Sequence, residues 1–216
     1  MEKYVVINAD IKASRSLRDY ERYEWQLFLK SAIVQINENY HKAIDAPFMI
    51  TKGDEFQGVI KRLDRVNQIM LDFEHLLYPQ RLRFGVGFGA IQKMGSNVSI
   101  EMDGPAFHLA SAGLTKVKKE KGTVHIDTQC TTFDLSLNSI YKLAYLIKNR
   151  WSNVHYKRYW RYKELGTCKL VAREARVSTQ AVWDSLHSSG ALELIKVENC
   201  IERLFELRQL KYQEEL

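Results

Sequence analysis

A chain of 216 residues, 45% hydrophobic and 27% charged, has the composition of a globular protein, and its length allows one large domain or one medium and one small one. No apolar run approaches the roughly eighteen residues of a membrane span, and MEKYVVINAD enters strand-like sequence without the parts of an export signal. The expectation is a cytoplasmic protein that does not contact membranes. The net charge of +6 is localised: residues 1–134 carry 18 basic and 17 acidic groups, whereas Lys142 to Arg176 carry ten and two, a pattern that points to an anionic partner. Cys130, Cys168 and Cys200 are odd in number and widely spaced, which suggests neither a disulfide framework nor a zinc site.

In chain order, Lys3 to Ala9 is a β-rich run too short for a buried helix, and Tyr20 to Tyr40 carries Trp25, Phe28, Leu29, Ile33 and Ile36 at helical spacing. Pro47 to Thr51 and Glu55 to Ile60 read as two strands of a hairpin around Lys-Gly-Asp, where glycine supplies a positive φ. Leu63 to Leu77 returns to the helical period, and RLRFGVGFGA at Arg81 to Ala90 alternates around three glycines, as in a crowded strand. Asp103-Gly104-Pro105 starts a helix running from Ala106 to Lys119, and Gly122 to Ile126 is a last short strand. The order βαββαβ followed by αβ predicts an α+β fold with a ferredoxin-like sheet and helices over one face. From Leu135 the chain reads as helical throughout. The predicted boundary lies near Thr132 to Asn138, giving a domain of residues 1–134 and a small helical domain of residues 135–216.

Asp10 ends the first strand and Asp54 sits in the hairpin, with Asn8 and Glu55 nearby in sequence. Neighbouring strands would bring both aspartates to one edge, where a Mg²⁺ or Mn²⁺ bridging to a triphosphate would relieve their repulsion. The plainer reading of the same residues is a turn former beside Gly53 and a strand-ending cap. Glycines 85, 87 and 89 suit either a close approach of backbone to a nucleotide or crowding within the sheet.

The strings NADIKAS, TKGDEFQGVI, RFGVGFGA and DGPAFHLASAG resemble, in order, the metal-bearing strand, the metal-bearing hairpin, the following strand and the nucleotide-side helix of class III nucleotide cyclase and GGDEF domains. The opening D-I-x-x-S-R, the hairpin G-D-E-F-Q-G and the helix start D-G-P-A resemble SatD-like proteins more closely, which pair such a domain with a helix-turn-helix. This resemblance implies metal binding by Asp10 and Asp54 with the Ile11 carbonyl as a third ligand, and a nucleotide near Lys52, Gly53, Glu55 and His108. The chain departs from cyclases where they carry an asparagine and, one turn later, an arginine to stabilise developing phosphate charge; here stand His108 and Ala112. Lys52 replaces the first of the paired hairpin glycines and is placed to meet a phosphate. His108, between Phe107 and Leu109, also reads as a core or boundary residue, and Lys116, Lys118, Lys119 and Lys121 form a second basic run suited to screening triphosphate charge but read first as a solvated helix end, outside the site.

Leu170 to Leu186 follows a helix-turn-helix pattern, with anchors at Val171, Ala172, Val177, Val182 and Leu186 and Ser178 as N-cap of the second helix. The turn carries Arg176 where glycine is usual, which predicts a wider turn or a left-handed arginine. The second helix would present Thr179, Gln180, Trp183 and Asp184, with Gln180 on a base edge and Thr179 on a phosphate; Trp183 suits a core position equally. Upstream, RWSNVHYKRYWRYK at Arg150 to Lys163 interleaves cations such as Lys157, Arg158 and Arg161 with aromatics, a mixture suited to holding DNA or to packing a small domain. Val197 to Leu210 reads as an amphipathic helix that packs on this domain or forms a homodimer seam. The leading expectation is a DNA-binding regulator that senses a nucleotide triphosphate or signalling nucleotide with Mg²⁺ or Mn²⁺. The alternatives are a nucleotidyl cyclase or small nucleotide polymerase, and a scaffold whose sites have decayed.

Overall fold

The computed structural model describes residues 2–12, 19–93, 95 and 98–214. Its centre is a five-stranded sheet in the order β2-β3-β1-β4-β5, formed by β1 (Tyr4–Ile11), β2 (Ile44–Lys52), β3 (Glu55–Ile60), β4 (Leu82–Gly89) and β5 (Val124–Asp127). β1 lies antiparallel between β3 and β4, β2 pairs antiparallel with β3, and β5 pairs parallel with β4. The first four strands therefore have the split βαβ order that the sequence predicts, and β5 extends it by one strand.

Strand alternation sorts β1 onto two faces. Val5, Ile7, Ala9 and Ile11 join the large core beneath α1 (Asp19–Asn39) and α2 (Val66–Leu76), while Val6 packs with Ala106, Phe107 and Ala110 of α3 (Pro105–Glu120). The expectation that helices cover one face is thus corrected, because α3 lies on the opposite face. The glycines of β4 are the reason it fits. A Cβ built on Gly85 would come within 2.1 Å of the Ala110 carbonyl oxygen, and one on Gly87 within 2.2 Å of the Ala106 carbonyl oxygen. Crowding by a helix backbone, not approach to a ligand, accounts for these two positions.

Both outer strands are held by asparagines. Asn37 of α1 accepts from the Phe48 N–H at 2.8 Å and donates to its carbonyl at 2.9 Å, next to Pro47 on edge strand β2. On the other side, Asn138 of α4 (Thr131–Lys148) does the same to Ile126 of β5, both contacts at 2.8 Å.

The remaining helices are α5 (Asn153–Leu165), α6 (Cys168–Ala175), α7 (Thr179–Ser188) and α8 (Ala191–Glu214). α5, α6 and α7 close a second core around Tyr159, Trp160, Val171, Val182 and Leu186. The expected division at 134/135 falls inside α4, whose Leu137 and Tyr141 pack in the core of the sheet. α8 also returns to that core: Ile201, Phe205 and Tyr212 are buried in it, and the Tyr212 hydroxyl accepts from the Lys3 N–H at 2.8 Å. The apolar stripe read as a packing or dimer face is used largely within the chain. Among the described residues no helix is long and apolar enough to cross a membrane.

The two cores meet through buried charge. Glu198 of α8, 4% exposed, accepts from Tyr159 and from Lys163 Nζ at 2.9 Å and lies 3.4 Å from Lys148 Nζ; Lys148 also reaches Glu74 of α2 at 2.9 Å. Burial opposes the Glu198 carboxylate, but Lys148 and Lys163 more than offset it and hold its pKa below the usual glutamate value.

Candidate functional site

Asp10 is the last residue of β1 on the α3 face before the strand ends. Its side chain is 8% exposed, so water does little to solvate it, and the fold supplies cations instead. Arg83, directly opposite on β4, places Nη1 3.2 Å from Asp10 Oδ2, and Lys118 of α3 places Nζ 3.3 Å from the same oxygen. On the other side, the β1–β3 pairing runs to Ala9↔Phe56, and one further step sets Asp10 beside Glu55. Like charges opposite one another across strands repel. Lys118 answers that repulsion as well, with Nζ 2.6 Å from Glu55 Oε1.

Asp54 occupies the hairpin turn next to Gly53, whose φ of +64° needs glycine. Its charge bears on Asp10. Burial pushes the Asp10 carboxyl above the usual aspartate range and Asp54 adds to the rise, against the pull of Lys118 and Arg83. Burial works against the Lys118 ammonium too, but Glu55 and Asp10 more than compensate and raise its pKa.

A polar cleft of about 240 Å³ opens beside this cluster, lined chiefly by Asn8, Thr51, Glu55, Gln57, Ser111, Thr115 and Lys118. One wall is α3, where residues 111, 115 and 118 recur at helical spacing; the floor is β1 and β3. Gln57 is tied to the Ser99 carbonyl at 3.0 Å, and the Asn8 Oδ1 is buried with no hydrogen-bond partner.

Of the nucleotide candidates, Glu55 lines the cleft, while Lys52 and Gly53 are exposed at the hairpin tip beside it. His108 lies apart, its side chain 73% exposed and 3.4 Å from Asp103; it is neither core nor boundary. Ser14 and Arg15 of the opening motif lie outside the described residues. Sequence reasoning missed Arg83 and set Lys118 aside. The signal for Lys118 was its helical phase with Ser111 and Leu114, obscured by the three lysines around it.

A family model of the SatD family matches residues 4–204. The chain belongs to the SatD family. No curated protein sequence matches it. Among solved structures, a bacterial light-regulated adenylyl cyclase matches with 18% identity and a TM-score of 0.44 over 58% of this chain and 75% of that one. The catalytic core of a rhodopsin-guanylyl cyclase with converted specificity, in complex with ATPαS, matches with 17% identity and a TM-score of 0.42 over 53% and 72%. A dimeric guanylyl cyclase domain of the RhoGC fusion protein from the aquatic fungus Blastocladiella emersonii gives 13% and 0.40 over 53% and 74%. At this level nothing about activity follows.

The donors of this SatD family site fit a magnesium-type cation in kind. Such an ion takes one or two carboxylates and completes its shell with water and phosphate oxygens; Asp10, whose Oδ2 here meets Arg83 and Lys118, and Asp54 would supply the carboxylates, and the unpartnered Asn8 Oδ1 lies two residues along the same strand face. Among the described residues no three His, Cys, Asp or Glu side chains form a ready metal cage, so phosphate oxygens would have to contribute.

The helical part of the SatD chain gives mixed results for the nucleic-acid candidates. Arg176 is left-handed at φ 54°, and Ser178 caps α7 by accepting from the Ala181 N–H at 3.0 Å. Thr179, Gln180 and Asp184 are exposed, with Gln180 donating to Asp184 at 2.8 Å. Trp183 is 44% exposed and stacks on His187 at 4.7 Å, so the core alternative for it is corrected. For the upstream aromatics the packing alternative holds and the base-stacking one is corrected: Trp151, Tyr156, Tyr159 and Trp160 are at most 7% exposed and pack the second core. Lys157 is exposed, but Arg158 donates to the Ala181 carbonyl at 3.1 Å, and Arg161 is paired with Glu164 and Glu174.

Proposed function

We propose that this SatD family protein binds a nucleotide polyphosphate with Mg²⁺ or Mn²⁺ at the cleft beside Asp10 and Asp54, and that occupancy biases a DNA-binding helix pair, α6 and α7. The observation that carries the nucleotide reading is the Asp10–Arg83–Lys118–Glu55 cluster, of which Lys118 and Glu55 line a polar cleft while Asp10 and Arg83 lie enclosed behind them. A bound divalent ion would neutralise phosphate charge there. The chain's own groups would orient the ligand: the hydroxyl of Ser111 and the amides of Asn8 and Gln57 offer donors, the Thr51 and Thr115 hydroxyls donate to the Glu55 and Ser111 carbonyls, and Arg83 holds Asp10 in place.

Support for DNA binding is the tight turn at Arg176, the Ser178 cap and the exposure of Thr179 and Gln180 at the start of α7. With the aromatics buried, DNA contact in this reading rests on α7 and on Lys157 and Arg176. Support for coupling is the short path between the two parts. Lys12 donates to the Tyr145 hydroxyl at 3.4 Å, and Arg81, two residues before Arg83, donates to the Lys148 carbonyl at 3.4 Å and lies 4.8 Å from the Tyr156 ring. A ligand that prefers one placement of the β1 and β4 ends shifts the helices by that preference alone.

The test is titration of ATP and GTP with Mg²⁺ into wild type and an Asp10→Ala/Asp54→Ala variant, followed by DNA-binding assays with and without nucleotide. Binding lost in the variant and a DNA affinity that responds to nucleotide in wild type are expected. Pyrophosphate release from a nucleotide triphosphate would move the reading to a nucleotidyl cyclase or polymerase, and no binding of any ligand would leave a scaffold. Light scattering of the same samples reports whether a homodimer forms.

A further inference from the structure

Lys118 already holds the Asp10 carboxylate that the metal reading assigns to a divalent ion. Its Nζ bridges Asp10 Oδ2 at 3.3 Å and Glu55 Oε1 at 2.6 Å, and its side chain is 34% exposed on the rim of the cleft. Arg83 contacts the same Asp10 oxygen but is enclosed, with a side chain 17% exposed and its Nε buried. The two cations differ in what they are able to do. Arg83 is a planar group held in the sheet, whereas Lys118 carries its ammonium on a flexible stem. Along α3 toward the cleft interior lie Thr115 and Ser111, so a rotated Lys118 remains inside the cleft. Of the four lysines in this run, Lys118 is the one whose ion pairs reach the site; Lys116 and Lys119 line an adjoining groove along α3 that shares Ser111 and Thr115 with the cleft.

Resting on the metal and polyphosphate reading above, we infer that Lys118 is an internal counter-cation of Asp10 and Glu55, which a divalent metal displaces and which then takes an oxygen of the metal-bound polyphosphate. No bond is made or broken covalently; one ammonium exchanges carboxylate partners for a phosphate partner. Without the metal, Lys118 serves the pair chiefly at Asp10, whose side chain is 8% exposed, while the Glu55 side chain is 40% exposed and shares the same ammonium. With the metal present, the same ammonium would meet a second positive charge, and its contact with Asp10 turns from favourable to unfavourable. A polyphosphate gives it a new anion. Metal and polyphosphate therefore assist each other, and by linkage the assistance is mutual.

The inference makes opposite predictions for two ligands. Manganese binding is measured by electron paramagnetic resonance and calorimetry, with Mn²⁺ alone and with the preformed Mn²⁺ complex of inorganic tripolyphosphate, on wild type, Lys118→Met and Lys118→Gln. Both variants are expected to bind Mn²⁺ alone about tenfold tighter than wild type and the tripolyphosphate complex about tenfold weaker, within the usual range of such couplings. Lys118→Arg keeps the charge and is expected to keep the wild-type order of the two affinities. Unchanged affinities, or both moving in one direction in Lys118→Met and Lys118→Gln, overturn the inference and leave the metal site standing. Absence of Mn²⁺ binding by every protein with either ligand removes the metal reading itself and the inference with it.

Discussion

At the scale of single residues, Asp10 shows what a site demands of a fold. Burial raises its pKa despite two cations beside it, so at neutral pH the ionised side chain weakens the folded state relative to the unfolded one. Asp10→Asn is therefore expected to raise the melting temperature at pH 7 while removing metal and nucleotide binding, a gain in stability at the expense of the site. Differential scanning calorimetry checks the first part, and a lowered melting temperature would show that the carboxylate is needed for its ion pairs. Arg176 makes a similar case in the helical part. A left-handed φ of 54° costs a non-glycine residue about 1 kcal/mol, so Arg176→Gly is expected to stabilise the protein by up to about that amount. In the DNA-binding reading the same variant loses affinity for DNA. Stabilisation without any change in DNA binding would assign the arginine no part in contact.

At the scale of elements, α3 and β4 fit because β4 lacks side chains where α3 crosses it. Gly87→Ala would drive a methyl group into the Ala106 carbonyl and the Ala110 N–H, and overpacking of this type costs about 1–3 kcal/mol or more. Since backbone on both sides cannot yield, the upper end is expected, a fall in melting temperature of about 6–12 °C for a chain of this size. A drop below about 2 °C would mean that α3 slides freely over the sheet. β5 carries a second, pH-dependent feature. Burial lowers the pKa of His125 below its ordinary 6.5, and Lys116 adds to the effect against Asp127, Glu120 and Asp134. Its folded pKa is depressed, so the stability it confers is present above about 6.5 and is lost as pH falls through the folded value. Thermal melts at pH 7.5 and 5.5 are expected to separate more for wild type than for His125→Asn; an equal separation would remove His125 as the cause.

At the scale of the whole molecule, the Lys148, Lys163 and Glu198 network joins the sheet to the helices. Removing one partner of a buried ion pair leaves the others uncompensated and typically costs about 3–5 kcal/mol. Lys148 keeps Glu74, so Glu198→Ala is expected to cost about 3 kcal/mol. It should also raise amide exchange in α5 and α8 before the sheet. Uniform loosening of the whole chain would mean that the two cores unfold as one.

The order of elements, the hairpin at Gly53 and the Ser178 cap were legible in the sequence, because periodicity, glycine and capping residues act over a few neighbours. So were Asp10, Asp54 and Glu55 as residues brought near one another, once β1 and the hairpin strand were read as neighbours. The basic and aromatic stretch before α6 was misleading for the opposite reason. Its composition suits either a surface or a core, and only the packing of α5 against α6, α7 and α8 turned Trp151, Tyr159 and Trp160 inward. Tertiary structure alone also decided that α3 lies over the glycines of β4, that α8 returns to the sheet, and that Arg83 and Lys118 converge on Asp10. Local propensity sets how each segment folds; which distant side chain answers a buried charge depends on strand register and helix placement, and those are set by the packing of the entire chain.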